Sequence, residues 1–294
     1  MTKAIFIAGP TASGKSALGL DLAAKHDGVI INADSMQVYR ELRILSARPS
    51  EDEESQAPHR LYGFLPGDQA CSVAFWVKHA VECIDMAWAS GKMPIVLGGT
   101  GLYFKALLDG LAVVPEIEPA IRQDVRAMQN KEGAAAVFQE LESLDPVMSE
   151  RLHAADSQRT ARALEVIKST GISLSVWQEK TEPGPMAALD AEDGIEKIVL
   201  NIPREQLYSR CNQRFDWMIK NGALDEVKTL LELGYSEELP VMKSLGVPSI
   251  AGFLQGRFSL VDAGLEAKML TRRFAKRQMT WFRNQFTDWK TLNL

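Results

Sequence analysis

The sequence predicts an α/β protein whose core is a parallel sheet flanked by helices. Three observations lead there. Residues 4–8, 29–33, 94–97 and 197–201 are short, largely apolar runs without polar alternation, the pattern of strands covered on both faces. Two of these runs pass through a glycine-rich turn directly into a helical pattern, as βαβ units do. Between residue 117 and about 192 the strand runs stop and the sequence becomes charged and helix-patterned. A helical insertion domain of residues 117–194 is therefore expected within a core of residues 1–116 and 195–294, which ends in a helical C-terminal region.

The first strand leads into Gly9-Pro10-Thr11-Ala12-Ser13-Gly14-Lys15-Ser16, followed by a helical pattern over residues 16–25. Strand, G-x-x-x-x-G-K-[ST] turn and helix together make a phosphate-binding loop, which predicts a P-loop NTPase-like core. Its glycines let the backbone curl, and the curl and helix N-terminus direct N–H groups at one anion. Lys15 then neutralises phosphate oxygens and the Ser16 hydroxyl holds Mg²⁺. The motif does not say which phosphate is bound.

Asp27-Gly28 makes a turn, and the strand over 29–33 ends at Asp34. Ligands of such sheets lie beyond the carboxyl ends of the strands, so Asp34 shares a rim with the phosphate loop. It reads as a catalytic or metal-binding carboxylate, or as a cap for Ser35-Met36-Gln37-Val38-Tyr39. Residues 46–60 read as a loop, with Glu51-Asp52-Glu53-Glu54 as a solvated face. Ser72 caps a helix over 73–89 that ends at Ser90-Gly91. The strand over 94–97 enters Gly98-Gly99-Thr100-Gly101 and a helix over 102–108. That turn reads either as a place where backbone and the Thr100 hydroxyl approach a ligand or as a close-packed strand-to-helix corner.

In the insertion, residues 119–128, 134–144 and 157–170 read as helices, and 182–185 as a linker. Within the third lies Gln158-Arg159-Thr160-Ala161-Arg162, whose two arginines share a face. They can grip phosphates or pair with Asp156 and Glu165. After Pro203 the chain reads as helical to its end, over 205–220 and 224–233, with an irregular stretch at 241–247 and a last helix over 261–286. From Lys268 to Arg283 that helix carries Lys268, Arg272, Arg273, Lys276, Arg277 and Arg283 and no acidic residue, in a chain of net charge −5. Trp281, Phe282 and Phe286 are interleaved. The pattern suits an RNA backbone with aromatics for packing or stacking, or a basic helix packed on the protein's own acids with its aromatics in the core.

The overall charge taken alone argues against nucleic acid, so that local asymmetry carries the case. Three widely spaced cysteines, Cys71, Cys83 and Cys211, argue against a disulfide framework or a zinc site and fit a reducing compartment. No signal-peptide pattern is present, and no apolar run approaches the roughly 20 residues of a membrane helix. A cytoplasmic protein is expected, with monomer as the default state.

Together these segments resemble the tRNA dimethylallyltransferase (tRNA isopentenyltransferase) family, in its short bacterial form without a zinc-finger extension. The resemblance rests on Gly9 to Ser16, Asp34-Ser35-Met36-Gln37-Val38-Tyr39, Gly98-Gly99-Thr100-Gly101-Leu102-Tyr103, Gln158-Arg159 through Val166, and Ala275 to Arg283. It implies transfer of a dimethylallyl group from dimethylallyl diphosphate to N6 of the adenosine on the 3′ side of the anticodon, in tRNAs reading codons that begin with uridine. It implies that the phosphate loop, with Mg²⁺, holds the diphosphate leaving group, that Asp34 takes the N6 proton, and that Thr100 positions the reacting groups. It further implies contacts to the tRNA anticodon stem-loop by Asp34, Ser35, Met36, Gln37, Thr100, Arg122, Gln158, Arg159, Thr160, Ala161, Arg162, Lys243, Lys276, Arg277, Gln278 and Arg283.

The chain departs from the family's usual pattern at Ile44-Leu45-Ser46-Ala47-Arg48-Pro49, where Ile-Gly-Thr-Ala-Lys-Pro is typical. It departs again at His59-Arg60-Leu61-Tyr62 and at Val247. A kinase using ATP at the same loop is the principal rival, though Leu97 stands where a second-metal aspartate is usual. A non-catalytic RNA-binding module explains the basic helix but leaves the phosphate loop without a role.

Overall fold

The computed structural model describes residues 2–294, which fall into two compact units. One comprises the chain up to Leu107 together with Pro185–Leu294, the other Leu108–Gly184.

The first unit opens with β1 (Ala4–Ala8), α1 (Lys15–His26) and β2 (Gly28–Asn32). Every residue of both strands is buried, and all but Asn32, whose amide is hydrogen-bonded, are apolar or glycine. Next come α2 (Glu51–Gln56), the two-residue β3 (His59–Arg60), α3 (Val73–Ala89), β4 (Met93–Gly98) and α4 (Gly101–Leu108). Helix α2 corrects the loop expected at 46–60. Ser50 and Glu53 form a reciprocal capping box, and four acidic residues sit at the helix's positive end.

The second unit packs α5 (Pro119–Glu132), α6 (Ala134–Leu144), α7 (Pro146–Arg151), α8 (Ser157–Thr170) and α9 (Leu174–Glu179). They surround Val125, Val137, Leu141, Met148, Ala163 and Leu164. Its limits differ from the expected 117–194. Residues 108–116 belong to it because Leu108 O accepts from Gly184 N–H and Ala112 bridges to Thr181. Residues 185–194 belong to the first unit, where Met186 N–H bonds Leu107 O.

The first unit resumes with α10 (Ala187–Ala191), β5 (Ile195–Asn201), α11 (Arg204–Lys220) and α12 (Ala223–Glu232). A 3₁₀ turn at Pro240–Lys243 precedes α13 (Val247–Leu254), α14 (Leu260–Gln285) and β6 (Lys290–Asn293). The end of the chain is thus not wholly helical as expected: β6 lies parallel to β5, Ile198 opposite Lys290 and Asn201 opposite Asn293. Four residues, three of them exposed, produce no apolar run.

The sheet has six strands in the order β3-β2-β4-β1-β5-β6, and every neighbouring pair is parallel. This is the P-loop NTPase-like core that the sequence predicts. After β1 the chain builds β2, β3 and β4 on one side and β5 and β6 on the other. The carboxyl end of β1 is therefore the switch point at which the loops part, the usual ligand crevice of an open α/β sheet. Ile5, Ile7, Ile30, Ile95, Leu97, Ile198 and Leu200 form the core under it. Among the described residues, no helix is long and apolar enough to cross a membrane.

Candidate active site

The phosphate loop leaves β1 at this switch point. Gly14 takes φ 93°, a left-handed conformation that brings the chain into α1, and no side chain caps that helix. The N–H groups of its first turn are thereby left for a ligand. Ser13 is buried and its hydroxyl has no partner, an orphan in the loop's hollow. Lys15 Nζ donates to Pro10 O at 2.8 Å. Burial pushes the Lys15 ammonium down to about 8, with Asp34 opposing that shift and Arg214 adding to it. Ser16 is exposed on the first turn. Among the described residues there is no group of three or more His, Cys, Asp or Glu side chains placed to hold a metal. The exposed Ser16 hydroxyl at the start of α1 fits a Mg²⁺ carried on phosphate oxygens.

Asp34 follows β2 on the same rim. Its N–H donates to Asn32 Oδ1 at 2.8 Å, and its Oδ1 accepts the Met36 N–H at 2.9 Å. The residue is thus a fixed turn residue with a carboxylate oxygen to spare, and no helix follows it. Across the rim, Thr100 Oγ1 accepts the Ser35 N–H at 2.9 Å. The Gly98–Gly101 turn is close-packed: a Cβ at Gly98 would collide with Ala33 O, and one at Gly101 with the Trp281 ring. The glycines therefore answer to packing, while Thr100 retains a hydroxyl beside Asp34's backbone.

A buried glutamine joins the two loops. Gln278 on α14 accepts the Thr11 N–H through Oε1 and donates to Gly99 O through Nε2, each at 2.8 Å. This corrects its expected role as a tRNA contact, because Gln278 is buried and both ends of its amide bond within the protein.

A cavity of about 300 Å³ opens over the rim. At its polar end are Thr11, Asp34 and Arg214; Met36, Leu45, Phe215, Met218, Leu245 and Phe274 give it apolar walls. Lys243 and Arg277 also line it and are exposed. Arg214 Nη2 donates to Thr11 Oγ1 at 2.5 Å. Burial lowers the Arg214 guanidinium from its usual range, with Cys211 and Asp34 nearby opposing the shift. The sequence reading missed Arg214. Its one signal was an arginine beside the buried stripe Leu207, Cys211, Phe215 and Met218 of α11. Ser35 and Met36 line the cavity as expected residues of that loop, whereas Gln37 Nε2 donates to Ser46 O and Ala47 O, each at 2.9 Å.

Phe282 on α14 and Phe286 just past its end are buried, and Phe286 stacks on Trp289 at 4.0 Å between ring centroids. Trp281 lies edge-on to Phe286. These aromatics form core and root the helix. Lys276, Arg277 and Arg283 remain exposed.

In the second unit, Gln158 and Arg159 are exposed. Arg122 and Arg162 converge on Glu165, at 3.9 and 3.5 Å, and Arg159 pairs with Asp156 at 3.4 Å. Thr160 and Ala161, expected to touch tRNA, are buried instead, because positions 160, 161, 163 and 164 form the inward stripe of α8.

A family model described as IPP transferase matches residues 37–285, and one described as isopentenyl transferase matches residues 2–64. A protein of Azorhizobium caulinodans named tRNA dimethylallyltransferase is 48% identical over 286 residues, covering 97% of this chain and 90% of its own. One of the same name from Rhizobium etli is 46% identical over 290 residues, covering 98% and 96%. Among solved structures, the full-length tRNA isopentenylpyrophosphate transferase of Bacillus halodurans is similar with a TM-score of 0.70 at 31% identity, covering 100% of this chain and 90% of that one. A eukaryotic dimethylallyltransferase acting on tRNA gives 0.81 at 26% identity, covering 100% and 74%.

Proposed function

This chain belongs to the IPP transferase family, and on that premise we propose that it transfers the dimethylallyl group of dimethylallyl diphosphate to N6 of the adenosine 3′-adjacent to the anticodon, releasing diphosphate. Its tRNA substrates are those reading codons that begin with uridine. One observation carries the reading. A single cavity combines Thr11 of the phosphate loop, a half-buried arginine bonded to it, a carboxylate and apolar walls. Moving a hydrocarbon from a diphosphate to an amine uses all four.

In this reading, the N–H groups of the loop, Lys15 and Arg214 hold the diphosphate and stabilise the charge that grows on it as the C1–O bond breaks. Ser16 would hold Mg²⁺, which when bound would further neutralise that charge. The N6 lone pair forms the new bond to C1. Asp34, oriented by its turn, accepts the N6 proton, which restores a neutral amine. Thr100 fixes the Ser35 backbone beside it. The base reaches the cavity flipped out of its loop. Ser35, Met36, Lys243, Arg277, Lys276 and Arg283 of the first unit and Arg122, Gln158, Arg159 and Arg162 of the second are the RNA contacts of the reading. It also takes the protein as a monomer of the cytoplasm, where its three free cysteines would stay reduced.

The test incubates the protein with Mg²⁺, dimethylallyl diphosphate and unmodified tRNA, and assays the digest for N6-(dimethylallyl)adenosine. A parallel arm offers ATP with small acceptors. Product in the first arm alone is expected; product only in the ATP arm overturns the reading. Asp34→Asn should lower turnover by roughly 10²–10⁴-fold while tRNA affinity stays within a few-fold. Equal loss of both would make Asp34 a structural residue.

A further inference from the structure

The stretch at which the chain departs from the family pattern, residues 44–49, is held by an unusual number of side-chain bonds to its backbone. One carboxylate on α12 takes three successive N–H groups. Glu226 Oε1 accepts from Arg43 and Ile44 at 2.6 and 2.7 Å, and Oε2 accepts from Leu45 at 2.9 Å. From the other side, the Gln37 amide donates to Ser46 O and Ala47 O. Arg48 Nη1 reaches back to Arg40 O at 3.2 Å. Charge-assisted bonds to backbone N–H groups are about twice as strong as neutral ones, so three on one carboxylate fix this turn firmly.

What the turn presents is Leu45. Its side chain is buried and lines the reaction cavity. It meets Phe215 over Gly246, where a Cβ would lie 3.0 Å from Leu45 Cδ2 and 3.3 Å from Phe215 Cε2. Gly246 has φ 92° and no room for a side chain, so Leu45 has a firm floor. Helix α11 gives the direction. Arg214 reaches the phosphate loop, Phe215 follows it, and Met218 lies one turn further, about 6 Å along the axis. In the prenyl-transfer reading, a hydrocarbon chain on a diphosphate held at Arg214 would run past Phe215 towards Met218, with Leu45 beside it.

We propose that Leu45, fixed by the Glu226 clamp, sets the length of allylic chain the cavity admits, holding it to five carbons against ten. Leu45 is a specificity determinant and Glu226 a positioning residue acting through it. The proposal rests on the prenyl-transfer reading above.

The experiment measures kcat/KM for dimethylallyl and for geranyl diphosphate, with an unmodified anticodon stem-loop as acceptor. It uses the native chain, Leu45→Ala, Leu45→Met and Glu226→Gln, each checked for folding by thermal melt. A single methylene in an apolar pocket changes discrimination by roughly 10-fold or more. Leu45→Ala should therefore raise the geranyl-to-dimethylallyl ratio at least about tenfold, with the KM for RNA within twofold. Leu45→Met, close in volume, should leave the ratio near native; should the alanine variant fold poorly, Glu226→Gln, which leaves Leu45 in place, carries the test, and a ratio it leaves unmoved overturns the proposal. Glu226→Gln, which weakens the clamp, should move the ratio in the same direction as Leu45→Ala and add little to it in the double variant. A ratio unmoved by Leu45→Ala overturns the proposal, as does a change confined to the KM for RNA, which would put the base rather than the chain against Leu45. If the native chain transfers neither group, the prenyl-transfer reading itself fails, a result distinct from transfer with unchanged discrimination.

Discussion

Gln278 offers the most direct test of how the site is assembled. Its amide bonds both the phosphate loop, at Thr11 N–H, and the second glycine turn, at Gly99 O. Gln278→Leu keeps the volume but removes both partners. The Gly99 carbonyl bond is buried and the Thr11 bond partly so. Leaving a buried polar group unpaired costs about 1–3 kcal/mol, so the pair predicts a loss of roughly 2–5 kcal/mol, allowing for partial access of water to Thr11. Denaturant unfolding followed by tryptophan fluorescence reads this as a lower midpoint at unchanged slope. Gln278→Glu separates the two bonds. Its carboxylate still accepts from Thr11 but cannot donate to Gly99 O, and it sets a negative charge beside the phosphate loop. It should therefore unfold more readily than the native chain and also raise the KM for the allylic diphosphate, by roughly tenfold for each 1.4 kcal/mol of repulsion. The reasoning is refuted if Gln278→Leu is within 0.5 kcal/mol of native (about the noise of an ordinary surface substitution), or if Gln278→Glu binds the diphosphate normally.

Two further outcomes follow from the electrostatics of the same rim. Lys15, held at about 8 by burial, loses its proton as pH rises through that value, below the ordinary lysine value of 10.5. Diphosphate capture, read as kcat/KM, should fall above pH 8. Stability runs the other way: the unfolded chain keeps this proton to about 10.5, so folding gains between those limits as pH rises. Lys15→Arg stays charged and should abolish the decline; a decline that persists in it refutes the assignment. Arg214→Gln removes a charged donor at Thr11, worth about 1.5–3 kcal/mol, and should weaken pyrophosphate binding by calorimetry roughly 10–150-fold while tRNA affinity stays within a few-fold.

The parts legible in the sequence were those with a local cause. The phosphate loop, the strands 4–8 and 94–97 and the helix after Ser72 each carry their own pattern of apolar run, glycine or cap, and each stands where it was read. What escaped depended on distant partners. β3 and β6 are short and largely exposed, and exist because β2 and β5 offer them an edge. Arg214 has no motif of its own, and Gln278, inside the Ala275–Arg283 motif, read as a tRNA contact; only the packing of α11 and α14 against the loop turns them inward. Thr160 and Ala161 sit inside a basic motif, yet the helical period of α8 points them into the core.

That last contrast also explains how α14 carries so many cations. Towards its N-terminal half the positive charges face α11: Lys268 pairs with Asp216 at 2.5 Å, and Arg272 donates to Asn212 at 2.7 Å. Towards its C-terminal half the aromatics root the helix in the core through Phe282, Phe286 and Trp289. Apolar packing there replaces the ion pairs that would otherwise hold a basic helix down. Lys276, Arg277 and Arg283 are accordingly in no ion pair among the described residues, and each is exposed. Arg277 lines the cavity and packs over Phe274, Lys276 and Arg283 line a second hollow beside β5, and between them Gln278 joins the two glycine turns while Phe282 packs in the core. One stretch of the helix thus buries Gln278 and Phe282 on one face and exposes Lys276, Arg277 and Arg283 on the other.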